Sequence, residues 1–140
     1  MIPRFRAWIK KQKAIVETSD IVSIDFEDEM VEIQNVYFVD GLPDSRDLET
    51  YRFDEIKLMQ STGLYDKGGT EVFEGDILHH QIQTEYTFIV KYDKDKGRWY
   101  GDGLSRTYRI DIAKRFLPYY YKVIGNIYEN PELLEVENGE

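Results

Sequence analysis

Apolar and polar residues alternate with a period of two through the longer ordered runs of this chain, and short clusters of Gly, Asp and Lys interrupt the alternation. The clearest case is "TEYTFIVKYDKDKGRWYGD", residues 84–102. There Tyr86, Phe88, Val90 and Tyr92 face one way, Asp93 to Gly97 turn the chain, and Arg98 to Gly101 return. Only an extended backbone brings every second side chain to one face, and a half-buried strand must pair with a neighbour. "DIVSIDFEDEMVEIQNVYFV", residues 20–39, repeats the pattern: Val22, Ile24 and Phe26 alternate with Ser23, Asp25 and Glu27, and Val31 and Ile33 with Glu32 and Gln34. Asp28 and Glu29 fall at the turn. The chain is therefore predicted to be mainly β (all-β to α+β), built of antiparallel hairpins with one or two short helices. Eleven Tyr, seven Phe and two Trp supply the residue types that fit a pleated surface.

The remaining segments follow from turn and cap chemistry. "FRAWIKKQKAIVE" predicts a hairpin of Arg4 to Ile9 and Lys13 to Glu17 around a lysine-rich turn. "DGLPDSRDLET", residues 40–50, collects Gly, Pro, Ser and acids and reads as an exposed acidic loop. "YRFDEIKLMQSTG" resumes an extended run with Phe53, Ile56, Leu58 and Met59 as its apolar positions, and Asp66 to Gly69 form a turn. Arg109 to Phe116 predict a short helix stopped before Pro118. "YYYKVIGNIY" is a last strand, and Asn130 with Pro131 offers an N-cap and N1 for about one or two turns of helix. At 140 residues the chain fits one domain with a core of its own.

Several function classes are excluded or disfavoured at once. There is no cysteine, so neither a disulfide framework nor a thiolate metal site nor a cysteine nucleophile can be built, and a reducing cytoplasmic setting is the expectation. No apolar run approaches the roughly 20 residues that span a bilayer, and the basic start "MIPRFRAWIKKQK" lacks a signal peptide's apolar stretch, so no membrane association is expected. The net charge of −9 disfavours non-specific binding to phosphate backbones. That charge is segregated. Residues 1–13 hold five bases and no acid, residues 17–76 hold seventeen acids against four bases, and residues 98–122 are locally basic and aromatic.

"FRAW" near the start, "LMQSTGLYDKGGTEVFEGDIL" in the middle and "VIGNIYENPELL" near the end, in that order, resemble the YopX family of phage and prophage proteins. The match spans roughly residues 4–134. The resemblance implies a small, largely β protein with a barrel-like part, encoded by phages and acting inside bacteria, and it implies no catalytic residues. Departures are confined to turn detail: Ser61 stands where an aromatic is common, and Gly68-Gly69 where Asn-Gly is more frequent.

The stretch "STGLYDKGGTEVFEGD", residues 61–76, poses the sharpest chemical question. Gly63 to Thr70 has Walker-loop spacing, but Gly69 occupies the position of the phosphate-binding lysine. "GDGLSR", residues 101–106, lacks the third glycine of a dinucleotide fingerprint, and "DKDKGRWYGDGL" ends in leucine where a calcium loop needs glutamate. All three read as turns. His79 and His80, adjacent on a strand, would point to opposite faces and cannot readily share a metal ion. Glu74 and Asp76 flank Gly75, and an extended chain would set them on one side, about 7 Å apart at the α-carbons, open to paired-carboxylate chemistry. The competing reading has Asp76 capping backbone N–H groups at a strand entry. No cofactor and no catalytic set is expected.

Two binding readings remain. The chain is expected to be a non-enzymatic accessory protein acting through contacts with a host or phage protein, or with further copies of itself, since segregated charge suits docking. The alternative is a small β-barrel nucleic-acid-binding protein that uses Arg98, Trp99, Arg106, Arg109, Lys114, Arg115 and Tyr119, because stacked aromatics beside a cationic groove hold single strands.

Overall fold

A computed structural model describes residues 2–104, 109–112 and 117–134. The chain divides into two compact units, Arg4–Met59 and Gln60–Glu140 with Met1–Pro3, and the boundary falls inside one strand. The chain is mainly β with antiparallel pairing, one sheet curves as a half-barrel, and the few helices are short.

In the unit Arg4–Met59, strands β1 (Phe5–Ile9) and β2 (Ala14–Val16) form the predicted N-terminal hairpin, with Ala7 opposite Val16 and Ile9 opposite Ala14. Strands β3 (Ile21–Asp25), β4 (Met30–Val39) and β5 (Leu42–Arg52) make a three-stranded sheet in that order. Its core is Ala7, Ile9, Val16, Val31, Ile33 and Ile56, with Ile21, Ile24, Tyr51, Phe53 and Leu58 packed against it. The strict alternation expected of Val22, Ile24 and Phe26 does not survive. The register shifts between Ile21 and Ser23, so Ile21 and Ile24 both turn inward while Val22 is exposed, and Phe26 lies past the end of β3, also exposed. An extra residue in one strand of a pair moves every side chain beyond it to the other face.

The acidic segment 40–50 is a second correction. Residues 42–52 are not a loop but the eleven-residue strand β5, exposed along most of its length and paired with β4 from Met30–Arg52 to Val39–Leu42. Asp40 (φ 51°) and Gly41 (φ 78°) form the two-residue turn between them. Positive φ at both central positions matches the twist of the flanking strands, which makes Asp-Gly a favoured hairpin connection. Pro43, with no N–H to give, is tolerated because β5 lies at the edge of its sheet.

Strand β6 (Ile56–Tyr65) crosses the boundary between the units and bears out the extended reading of residues 51–63 from Ile56 onward, whereas Phe53–Glu55 form a 3-10 turn. In the second unit its end pairs with β7 (Glu71–Phe73). Strands β8 (Asp76–His80), β9 (Thr87–Asp93), β10 (Arg98–Gly103), β11 (Ile110–Asp111) and β12 (Tyr121–Asn126) build a five-stranded sheet in the order β11-β10-β9-β8-β12. Val72, Leu78, Val90 and Leu117 form a second core, joined by Leu64, Trp99, Ile112, Tyr121 and Val123.

The helix predicted over Arg109 to Phe116 is absent from its described part. Ile110 and Asp111 pair with Gly101 and Tyr100 as β11, and residues 113–116 lie outside the described residues. The short helix α1 instead covers Leu117–Tyr120, with Pro118 near its start. Proline is compatible with the first turn of a helix because its missing N–H has no partner there in any case. At the other end of β12, Pro131–Leu134 form one 3-10 turn. The Asn130 side chain does not cap that turn but accepts a hydrogen bond from the Asn126 N–H at 3.1 Å.

Candidate functional site

The glycine-rich stretch is organised by one carboxylate. Asp66, 3% exposed, accepts hydrogen bonds from the N–H groups of Gly68 and Thr70 on Oδ1 and of Val123 on Oδ2, each at 2.8 Å. Gly69 (φ 84°) completes the turn, and its N–H donates to the Asp66 carbonyl. The loop is folded around its own aspartate, so its backbone donors are spent on protein and do not face a phosphate.

Glu74 and Asp76 do not sit side by side on an extended chain, because Gly75 has φ 86° and turns the backbone between β7 and β8. Asp76 is buried, and its Oδ2 accepts from the Phe73 N–H at 2.8 Å. His79 and His80 do alternate across β8. The His79 Nε2–H donates to the Thr84 carbonyl at 2.7 Å. The buried His80 accepts from the Ile82 and Gln83 N–H groups on Nδ1, which puts its proton on Nε2, and its ring stacks on Tyr120 at 5.4 Å. No group of His, Asp and Glu among the described residues has metal-site geometry.

Tyr121 packs edge-on to both His80 and Phe88. Burial first, and the nearby Tyr86 second, push its phenol above the ordinary 10.0. An acid whose folded value is raised holds its proton longer in the folded state, so its stabilising effect is complete below pH 10 and is lost as pH climbs through the folded value. The unfolding midpoint in urea should therefore fall above pH 10, with a smaller fall in Tyr121→Phe. Tyrosinate absorbance against pH supplies the matching titration.

Of the predicted nucleic-acid contacts, the structure brings Arg98 and Arg109 together. Both line an open cleft of ≈ 210 Å³ with Asp93, Lys96, Tyr100, Ile110 and Asp111. The pairing of Tyr100 with Asp111 and of Gly101 with Ile110 carries Arg109 to this place. Its guanidinium lies 3.8 Å over the Tyr100 ring centre and 3.1 Å from Asp93, while Arg98 stands 3.6 Å from Asp111. The Lys96 N–H, against the opposing effect of burial, then the Asp95 N–H and Arg109, hold the Asp93 carboxyl below its ordinary 3.8.

Each arginine thus already faces a carboxylate, and an incoming phosphate must compete with it. Exposed pairs of this kind are worth roughly 0–1 kcal/mol, so the competition is possible but leaves the cleft nearly balanced in charge. Trp99 does not join the cleft. Strand alternation turns it to the other face of β10, where it meets Tyr92 edge-on at 5.0 Å and packs against the second core. Tyr119 is exposed on α1, and Arg106, Lys114 and Arg115 lie outside the described residues. Residue-type reasoning misses Tyr100, Lys96 and the two aspartates, although alternation from Arg98 points to Tyr100.

A second surface stands out from the three-stranded sheet. Past Ile33 no residue of β4 is buried, and β5 has none at all, so residues 34–48 form a two-stranded ribbon with both faces wet. At about 3.3 Å per residue it extends for roughly 20 Å. Its distal half exposes Tyr37, Phe38, Val39 and Leu42, the last at 70%. Tyr37 also donates to Asp47 at 2.9 Å, and nearer the core Asn35 and Tyr51 donate to Glu49. The hydrogen bond to Asp47, and then that carboxylate's charge, raise the Tyr37 phenol above 10.0; burial, then the charge and hydrogen bond of Glu49, raise Tyr51.

The family model described as YopX protein matches residues 4–135. Protein EF1440 from Enterococcus faecalis, known from a crystal structure, is 30% identical, with 96% of this chain and 99% of that one covered at a TM-score of 0.66. Protein yopX from Bacillus subtilis, also known from a crystal structure, shares the fold at 18% identity and a TM-score of 0.55, with 94% and 95% covered. No curated protein matches the chain.

Proposed function

This chain belongs to the YopX family, and we propose that it is a phage- or prophage-encoded accessory protein of the bacterial cytoplasm, non-enzymatic, that works by docking on another protein. The observation that carries the reading is the β4–β5 ribbon. A two-stranded ribbon is marginally stable by itself in water, and this one leaves large apolar side chains about half or more exposed. Apolar groups gathered at the end of an exposed arm mark an interaction surface. No helix among the described residues is long and apolar enough to cross a membrane.

The test is capture of partners from infected host lysate by the tagged protein, with and without nuclease, beside the variant Leu42→Ser. A stoichiometric protein that survives nuclease and is lost with Leu42→Ser is the expected result. Equal capture by the variant overturns the role of the arm.

A second reading, nucleic-acid binding, is favoured by the convergence of Arg98, Lys96, Arg109 and Tyr100 on one cleft. It expects recovery that depends on nucleic acid, falls steeply with salt, and weakens when Arg98, Arg106, Arg109, Lys114 and Arg115 are neutralised.

A further inference from the structure

The register of β4 with β5 decides which side chains share a face of the arm. Val31, Ile33, Asn35, Tyr37 and Val39 alternate onto one side, opposite Tyr51, Glu49, Asp47, Ser45 and Leu42 respectively. That face therefore grades outward from core to an acidic and tyrosine-lined middle, and then to the apolar tip Val39–Leu42. Asp47 and Glu49 project from it about 7 Å apart. Their hydrogen-bond donors are neutral, and among the described residues neither is in an ion pair. Over residues 21–52 nine acids face two bases. The lysine-rich turn of the N-terminal hairpin reaches only the inner end, where Gln12 donates to Tyr51 at 2.8 Å, and acid repels acid, so positive charge from outside would relieve the outer part of the face.

We propose that the β4–β5 arm docks on a basic protein surface, its Val39–Leu42 tip entering an apolar recess and Asp47 and Glu49 meeting lysine or arginine beside that recess. This rests on the protein-docking reading above and adds the chemistry of the partner. The tip supplies burial, and the carboxylates supply orientation and faster encounter, because complementary charge steers approach. Tyr37 and Tyr51 hold the carboxylates in place and add rings over which a cation gains further attraction.

The probe is a ten-residue peptide of alternating lysine and leucine, titrated calorimetrically into the full chain, with the glutamate–leucine counterpart as control. The lysine peptide should bind, about 10-fold more weakly in Asp47→Asn/Glu49→Gln or in Val39→Ser/Leu42→Ser, and more weakly as salt rises. Glu27→Gln/Asp28→Asn, which removes two charges from the exposed β3–β4 turn, should leave binding unchanged. All variants sit on exposed or wet faces and are checked for wild-type circular dichroism before titration.

Equal loss in the Glu27→Gln/Asp28→Asn control, or equal binding of the glutamate peptide, overturns the proposal by reducing it to bulk attraction or to greasiness. So does a chain that dimerises in sedimentation equilibrium through Leu42 without binding the lysine peptide, since the occupant is then a second copy. A partner captured through Leu42 that proves acidic at its contact sinks the basic-surface inference and leaves protein docking standing. Capture indifferent to Leu42 overturns the role of the arm, and this inference with it.

Discussion

Asp66→Ala should lower the unfolding free energy by about 4 kcal/mol. Three backbone N–H groups converge on this nearly buried carboxylate, and removing it leaves the donors of Gly68, Thr70 and Val123 without their acceptor. Hydrogen bonds to a charged group are each worth about 1.5–3 kcal/mol, partly recovered where water enters, which sets the net figure below their sum. Asp66→Asn should cost about half as much. Its carbonyl oxygen can still serve the Gly68 and Thr70 donors, but its amide then confronts the Val123 N–H. Urea unfolding followed by Trp99 fluorescence in a Trp8→Phe background reads the second unit. A midpoint unmoved by Asp66→Ala would mean that the turn is held by its glycines alone.

The second large effect lies in the stretch "GNIYEN" of residues 125–130. Gly125 has ordinary φ but no room: a β-carbon there would come 2.7 Å from Cγ of Asn130. Asn130 cannot step aside cheaply, since its Oδ1 accepts from the Asn126 N–H and its own N–H donates to the Asn126 carbonyl at 2.9 Å. Asn126 in turn accepts from the Tyr128 and Glu129 N–H groups. Gly125→Ala should therefore cost about 3 kcal/mol, from overpacking plus a displaced hydrogen bond. The same change should cost much less in an Asn130→Ala background, because the group it collides with is gone. Full additivity of the two substitutions in a double-mutant cycle would place the strain elsewhere.

These two sites show what is legible in the residues and what is not. The hairpins at 5–16 and 87–103 can be read directly, because alternation and turn residues are properties of neighbours in sequence. Asp66 is legible as a turn residue, but its bond to Val123 is not, since that partner is 57 positions away. Residues 40–50 read as a loop because their acids and Pro43 are poor strand formers. Pairing with β4 overrides that propensity, and Asp40-Gly41 is the signal that weighs against the loop. In the cleft, the chemistry of Arg98 and Arg109 marks them out, but only the two-residue strand β11 brings them together. Trp99 cannot share a groove with its neighbour Arg98, because alternation along β10 sends the two to opposite faces.

The order β11-β10-β9-β8-β12 has a consequence for the chain as it is being made. Every other pairing in that sheet joins strands adjacent in sequence, but β8 must wait for β12, about 45 residues later. At synthesis rates of roughly 5–20 residues per second, the edge carrying Ile77 and Leu78 stays unpaired for roughly 2–9 s. Over that interval it is open to a chaperone or to another unfinished chain.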